Sequence, residues 1–285
     1  MTSTTFELSN GTSVPAIGFG IGTKWYKTSG NTGTDESLVK AIEDALDVGY
    51  THFDAAEMYG TEEELGEALK RAKVPREKLF ITTKVTGGND PIEHLETSLK
   101  KLNLGYVDLY LVHHPFFRGV EDSWRKMEQL LQSGKVKNIG VSNFGVEDIN
   151  KVLAVAETKP VVNQIEYHPY LQNQTPGIIH HCKYHSIDVV AYGPLVPLTK
   201  AEGGPLTTML KSLASKYKKT EAQILLRWCY QSGVLPITTS SKKTRMQEFM
   251  QIFDFELEET DQNSISNAGQ AYHHRGYWRE RLERK

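Results

Sequence analysis

Cysteine is scarce. The chain of 285 residues has two, Cys182 and Cys229, without CxxC spacing. That argues against a disulfide framework or a cysteine zinc site and fits a reducing, cytoplasmic compartment. Excess charge of either sign is also missing: 33 Lys and Arg face 35 Asp and Glu, a formal net charge of -2. Such a chain has no broad field to draw nucleic acid or an anionic membrane, so any anion site must be a local basic cluster. No apolar run approaches the roughly 20 residues that span a bilayer. The segment Met1–Asn10 is polar and lacks the apolar core of a secretion signal. No Pro/Ser-rich stretch divides the chain, so residues 1–285 read as one domain. The expected partner is a small molecule, and the oligomeric state stays open.

What is present is an ordinary globular composition, 39% hydrophobic and 24% charged, enough to bury a substantial core. Phe6–Leu8 and Thr12–Val14 flank Asn10-Gly11 and predict a β-hairpin, because both turn residues tolerate positive φ. Strand and helix patterns then alternate. The strands are Ala16–Phe19, Thr51–Asp54, Leu79–Lys84, Val107–Val112, Asn138–Ser142, Val161–Glu166, Asp188–Tyr192 and Val234–Ile237. Helices are expected over Glu36–Val48 and Glu62–Arg71, then from near Pro91, Val120, Val146, Thr175 and Thr208, and over Thr220–Gln231, Thr244–Ile252 and Leu257–Ala268. Val107–Val112 is mostly apolar, as in a parallel strand buried on both faces. Eight βα units in a chain of this length predict an α/β fold, a (β/α)8 TIM barrel preceded by a hairpin.

In such barrels the active site lies at the C-terminal ends of the strands. Asp54, Tyr59, Lys84 and His113 stand at three consecutive strand exits. A free phenol has a pKa near ~10, keeps its proton at pH 7 and donates poorly. A neighbouring ammonium lowers that value, and Lys84 is placed to supply one. Asp54 can hold Lys84 and compensate its charge. His113 can hydrogen-bond a carbonyl oxygen and orient it. Each has an ordinary alternative: packing for Tyr59, a helix cap for Asp54, solvation for Lys84, a core position for His113. Their convergence favours an enzyme.

Three motifs carry a family resemblance. Asp54-Ala-Ala-Glu-Met-Tyr59-Gly60 with Glu64-Leu-Gly66, then Ile81-Thr-Thr-Lys84, then Asp108-Leu-Tyr-Leu-Val-His113-His114-Pro115 resemble the aldo-keto reductase family, in order and over nearly the whole chain. The resemblance implies an NADP(H)-dependent carbonyl reductase. Tyr59 would be the proton donor, Lys84 and Asp54 would tune it, and His113 would orient a carbonyl that receives hydride from nicotinamide C4. His114 stands where many family members have tryptophan, which makes that side of the pocket smaller and more polar.

Gly18-Phe-Gly20-Ile-Gly22-Thr23 echoes a dinucleotide fingerprint without its Rossmann context. It is read instead as glycines that let the chain turn tightly at the first strand's exit. By the resemblance, Gly22, Thr23 and Lys24 approach the nicotinamide ribose. Hydroxyl and amide groups at Ser142, Asn143 and Gln164 suit a carboxamide, and the family uses matching residues so. Tyr192 resembles the tyrosine that stacks on the nicotinamide, with Gly193 and Leu195 in the same stretch. A helix cap for Asn143 and simple packing for Tyr192 remain open.

Thr238 to Arg245 leaves the last strand and opens a helix. Hydroxyls, free N–H groups and cations there make an anion site, and Lys and Arg favour a 2′-phosphate, hence NADPH. A cap followed by a solvated basic turn is the alternative. The family's usual Pro-Lys-Ser is Thr238-Thr239-Ser240 here, so with Ser241 the charge falls to Lys242 and Arg245. Trp25, Tyr26, His114, Phe116 and Phe117 follow strand exits and are candidate pocket walls. Trp278, in the Arg- and aromatic-rich tail Tyr272–Lys285, either folds over the same opening or lies on a frayed end.

Gly22-Thr-Lys-Trp-Tyr26, Gln172-Asn-Gln-Thr-Pro-Gly177 and Thr238-Thr-Ser-Ser241 resemble a fungal branch of the family that reduces α-ketoamides and conjugated polyketones such as ketopantoyl lactone. Two other readings compete. A metal-dependent barrel hydrolase needs ligands at several strand ends, and the pairs His113-His114, His180-His181 and His273-His274 lack shared-face spacing. A non-catalytic NADP-binding regulatory barrel would keep the cofactor site and lose turnover.

Overall fold

Residues two apart on a strand share a face, and this alternation decides what enters the centre of the molecule. The computed structural model describes residues 4–27 and 33–283, so residues 1–3 of the polar N-terminal segment and 284–285 of the tail lie outside it. Its strands are β1 (Thr5–Glu7), β2 (Ser13–Pro15), β3 (Gly18–Gly20), β4 (His52–Asp54), β5 (Phe80–Val85), β6 (Leu109–Val112), β7 (Ile139–Ser142), β8 (Val162–Glu166), β9 (Asp188–Tyr192) and β10 (Val234–Thr238). β1 and β2 form the antiparallel hairpin, and β3 to β10 close into a parallel barrel with helices between strands. This is the expected (β/α)8 architecture.

The hairpin turn differs in detail from the expectation. Gly11 N–H donates to the Leu8 carbonyl at 2.8 Å and Leu8 N–H to the Thr12 carbonyl at 2.9 Å. Gly11 has φ +83°, whereas Asn10 is not left-handed. A longer turn closed by one glycine therefore replaces the two-residue turn, and only the glycine needs positive φ. The hairpin has a defined place. Leu8 and Val14 join Phe80, Leu109, Val162 and Leu235 in one apolar cluster inside the barrel. Ser9 N–H donates to Asp188 at 2.6 Å, and Asn10 and Thr12 donate to Asn138 Oδ1 at 2.8 and 3.0 Å. Asp188 and Asn138 mark strand entries, so the hairpin stops the N-terminal end of the barrel.

The outer layer follows from amphipathic helices. Glu36–Val48 buries Leu38, Val39, Ala41, Ile42 and Ala45; Asp35 caps its start and Gly49, at φ 110°, ends it. The helix expected near Thr175 begins at Ile178, because Gly177 takes the left-handed conformation at φ 75° and cannot belong to it. β6 begins at Leu109 rather than Val107. The Asp108 carboxylate takes the Ile81 N–H at 2.8 Å and Arg76 at 2.6 Å, which interrupts the ladder. Both cysteines are buried and unbridged, in the helices Ile178–Tyr184 and Glu221–Gln231. No helix among the described residues is long and apolar enough to cross a membrane.

Candidate active site

Register places the first residues. Asp54 pairs with Gly20 on one side and Thr82 on the other, and Lys84 lies two residues beyond Thr82 on the same inward row. Lys84 is fully enclosed, at 0% exposure. An ammonium has three N–H groups. Lys84 directs them to Asp54 Oδ1 at 2.6 Å, the Ala55 carbonyl at 2.7 Å and the Tyr59 phenol oxygen at 3.3 Å. The second Asp54 oxygen accepts from Gln164 Nε2 at 2.7 Å. With Lys84 donating to its oxygen, the Tyr59 proton is directed elsewhere. His113 completes the group, its ring edge-on to Tyr59 at 5.5 Å between centroids. The structure thus brings Asp54, Tyr59, Lys84 and His113 together.

Tyr59 is held by its loop. After β4 the chain makes a single 3-10 turn, Glu57–Tyr59, ended by Gly60 at φ 68°. Glu57 anchors the turn: Thr86 N–H and Asn89 Nδ2 donate to Oε1 at 2.6 and 2.8 Å, and His94 Nδ1 lies 2.6 Å from Oε2. A methyl group at Gly22 would lie 2.7–2.9 Å from the Tyr59 ring. At Gly18 it would lie 2.3 Å from Ile237 and at Gly20 3.1 Å. None of the three has positive φ. Their reading as turn glycines is corrected: they leave room for neighbouring side chains.

The electrostatics also correct an expectation. Burial pushes the Tyr59 phenol above its ordinary pKa, and the opposing effect of Lys84 does not reverse it, because the Asp54 carboxylate acts in the raising direction. Burial alone would lower Lys84, but the Asp54 charge, together with Tyr59 and the hydrogen bonds to both, outweighs it and holds the ammonium above its usual range. Burial, with the Lys84 charge beside it, drives His113 well below the ordinary imidazole value. The pocket therefore contains a protonated phenol, an ammonium and a neutral imidazole.

A cavity of about 260 Å³ runs from Asp54 and Tyr59 to Thr238 and Thr239, along Gly20, Gly22, Thr23, Tyr192, Gly193 and Leu195. Ser142, Asn143 and Gln164 form a buried network beside it. The Ser142 hydroxyl donates to the Gln164 carbonyl at 2.8 Å, Asn143 Nδ2 to the His113 carbonyl at 2.9 Å, and the Tyr192 hydroxyl to Asn143 Oδ1 at 2.7 Å. Asn143 is left-handed at φ 63°, a conformation of cost for a residue with a side chain. It is not a helix cap: the following helix, Val146–Leu153, is capped at Gly145, whose N–H donates to Asp148 at 3.1 Å.

At the far end, Lys24 Nζ donates to the Ser241 hydroxyl, joining the first and last strand exits. Lys242 N–H donates to Ser240 Oγ at 3.0 Å. Thr239 Oγ1 is buried without a partner, next to the cavity. Lys243 is engaged by Asp47 at 2.9 Å and Asp44 at 3.4 Å, while Lys242 and Arg245 are exposed at the start of the helix Lys243–Met250. An orphaned hydroxyl and a side-chain-free glycine edge along one cleft, with exposed cations on the turn and helix that follow Thr239, suit an elongated polyanionic ligand.

Of the aromatic candidates, Trp278 packs on Phe116 at 5.4 Å, His114 at 5.5 Å and His113 at 6.2 Å, and Phe117 meets His114 at 6.5 Å. Tyr26 is half-exposed, 6.4 Å from the Tyr59 ring. Trp25 is not part of this wall: it is buried in the core against Phe19 at 6.3 Å, because a large apolar ring beside the helical layer gains more by burial than at a wet mouth. Within the described residues the tail is packed through Tyr277, which lines the cavity, and Trp278, which lies on the aromatic wall. Sequence reasoning missed Tyr277, which lines the cavity, and Glu166, which binds the tail. Glu166 carried a signal, a carboxylate two residues after Gln164 on a buried strand; Tyr277 carried none. Among the described residues, no three His, Cys, Asp or Glu side chains are grouped to hold a metal ion.

A closed parallel barrel with ionisable side chains converging at its strand exits is the architecture of an enzyme. Residues 18–269 match the model of the Aldo/keto reductase family. The chain is 46% identical over 281 residues to the NADPH-dependent alpha-keto amide reductase of Saccharomyces cerevisiae, covering 93% of this chain and 90% of that one. It is 41% identical over 273 residues to the NAD/NADP-dependent indole-3-acetaldehyde reductase of Schizosaccharomyces pombe, covering 94% and 96%. The crystal structure of a Bombyx mori aldo-keto reductase in complex with NADP superposes with a TM-score of 0.82 at 32% identity, covering 94% of this chain and 93% of that one. The chain belongs to the aldo/keto reductase family and is an oxidoreductase acting on carbonyl groups.

Proposed function

We propose that this protein is an NADPH-dependent carbonyl reductase with Tyr59 as its proton donor and vicinal dicarbonyl compounds as its substrate class. One observation carries the reading: an enclosed ammonium, fixed by Asp54, donates to the phenol oxygen of Tyr59 beside an open cavity. When bound, NADPH supplies hydride from nicotinamide C4 to the carbonyl carbon. Tyr59 gives its proton to the carbonyl oxygen, and Lys84 stabilises the phenolate left behind. Asp54 keeps the ammonium in place, and Gln164 keeps Asp54 in place. Neutral His113 has one donor for the same carbonyl oxygen, which orients the substrate face. Gly22, Thr23, Lys24, Ser142, Asn143, Tyr192, Gly193 and Leu195 would hold the nicotinamide half. Thr239, Ser240, Ser241, Lys242 and Arg245 would hold the adenosine half with its 2′-phosphate.

The substrate class is supported by the name of the Saccharomyces relative, an alpha-keto amide reductase, and by chemistry. In α-ketoamides, ketolactones and conjugated polyketones one carbonyl withdraws electron density from the other, so a modest pocket suffices. His114, Phe116, Phe117, Tyr26 and Trp278 would wall it. The test is NADPH oxidation with isatin and ketopantoyl lactone, by wild type and Tyr59→Phe. The variant should lose about 10²–10⁴-fold in kcat, the range of general acid catalysis, with NADPH affinity nearly intact. A normal kcat in Tyr59→Phe would remove the assigned role. NADPH binding without turnover of any dicarbonyl would remove the assigned substrate class, and without turnover of any carbonyl compound would favour the regulatory barrel.

A further inference from the structure

Glu166 ends β8 two residues beyond Gln164, is fully enclosed and takes no part in the proton-transfer cluster. A buried carboxylate without compensation is costly. Its partners are not cations. Gly276 N–H donates to Oε1 at 2.6 Å, Tyr277 N–H to Oε2 at 3.1 Å, and His168 Nε2 lies 3.0 Å from Oε1. Two successive N–H groups of the C-terminal tail thus converge on one carboxylate, a charge-assisted arrangement.

The residues held this way serve two sites. Tyr277 lies edge-on to Tyr192 at 5.5 Å and closes the cavity side. Lys200 sits 3.9 Å above its ring and donates to the Gly276 carbonyl at 3.1 Å. Trp278 follows in the left-handed conformation, φ 52°, and places its ring against His113, His114 and Phe116. The tail is one partition with the cofactor cavity on one side and the aromatic wall on the other.

We infer that Glu166 is a positioning residue: it clamps the Gly276–Tyr277 backbone, fixes Trp278 against the substrate wall, and so sets preference for dicarbonyls that carry a planar ring. The inference rests on the reductase reading given above. A three-carbon dicarbonyl would react at Tyr59 without reaching Trp278; a ring-fused one would lie against it.

Two variants test this from opposite sides. Glu166→Gln keeps the volume but turns an N–H group toward N–H donors. Gly276→Ala keeps the carboxylate's charge but adds a methyl 3.1 Å from Glu166 Oε1, Lys200 and Val196, so it crowds the clamp itself, which must open by a few tenths of an ångström to admit it. At saturating NADPH, which removes any effect of Tyr277 on cofactor binding, both should raise KM for isatin about tenfold, the effect of losing one charge-assisted hydrogen bond, while KM for methylglyoxal changes less than about twofold. Amide hydrogen exchange in the peptide holding Gly276 and Tyr277 should accelerate in both. In a Trp278→Ala background, Glu166→Gln should no longer change KM for isatin. Equal losses on both substrates, or an unchanged preference, would overturn the inference, as would wild-type exchange at Gly276 and Tyr277. If Glu166→Gln does not fold, Gly276→Ala decides alone. A wild-type protein that reduces neither compound defeats the reductase reading, and with it the assigned preference, while the exchange measurement still decides whether Glu166 clamps the tail.

Discussion

Replacing Lys84 with Met separates what the buried ammonium does for the fold from what it does for the reaction. Lys84 and Asp54 are enclosed together, with 2.6 Å between charged atoms. Removing one partner of such a pair leaves an uncompensated charge, at a cost of about 3–5 kcal/mol. Gln164 still donates to Asp54 at 2.7 Å, which places the expectation near the low end, about 3 kcal/mol. The assay is urea unfolding of wild type and Lys84→Met at pH 8 and pH 5. In the variant the stranded carboxyl titrates higher in the folded than in the unfolded chain. The deficit is then full at high pH and shrinks as pH falls through the folded value. Asp54→Asn in the same chain removes the stranded charge, so the double variant should recover most of the stability at pH 8 and none of the turnover. A deficit below about 1 kcal/mol, the size of an exposed pair, or one equal at both pH values, would refute the account of an enclosed, mutually dependent pair.

Gly22→Ala puts a methyl within 2.7–2.9 Å of the Tyr59 ring, so kcat should fall at least about tenfold, since small displacements of a reacting group are costly, with little change in melting temperature; unchanged kcat would show that Tyr59 need not lie where it does. Arg245→Ala should weaken NADPH about tenfold or more, the size of a charge-assisted contact, and leave NADH nearly unchanged; equal losses in a titration would mean the basic turn does not read the 2′-phosphate. Burial lowers His52 to about 4 from an ordinary 6.5. The unfolded chain therefore takes up a proton that the fold refuses, and stability present above pH 6.5 is lost as pH falls toward 4, by about 3 kcal/mol. A His52→Gln variant with an equally steep acid limb in urea unfolding would contradict that.

The barrel was legible because its evidence is periodic. Val107–Val112 or Val161–Glu166 reads as strand from composition alone, and the exits of successive strands must be neighbours. That is why Asp54, Lys84 and His113 group together from the sequence. Less was legible where long-range packing decides. Gly18 and Gly20 resemble turn residues in sequence, yet their role is to admit Ile237 from the opposite end of the chain. Trp25 and Tyr26 are adjacent aromatics after one strand; the core takes the first and leaves the second half-exposed. The direction of the Tyr59 pKa depends on a balance of burial, Lys84 and Asp54 that spacing cannot weigh. The tail's anchorage depends on Glu166, more than 100 residues earlier, as its backbone partners record.

The stopper formed by the hairpin has a corollary for handling the protein. An affinity handle or surface tether placed ahead of residue 4 hangs from the plugged base of the barrel, whereas one placed after residue 283 starts beside the rim that Trp278 lines. Immobilised by its front end, the catalyst turns its entrance toward bulk liquid. Immobilised by its back end, it turns that entrance toward the bead.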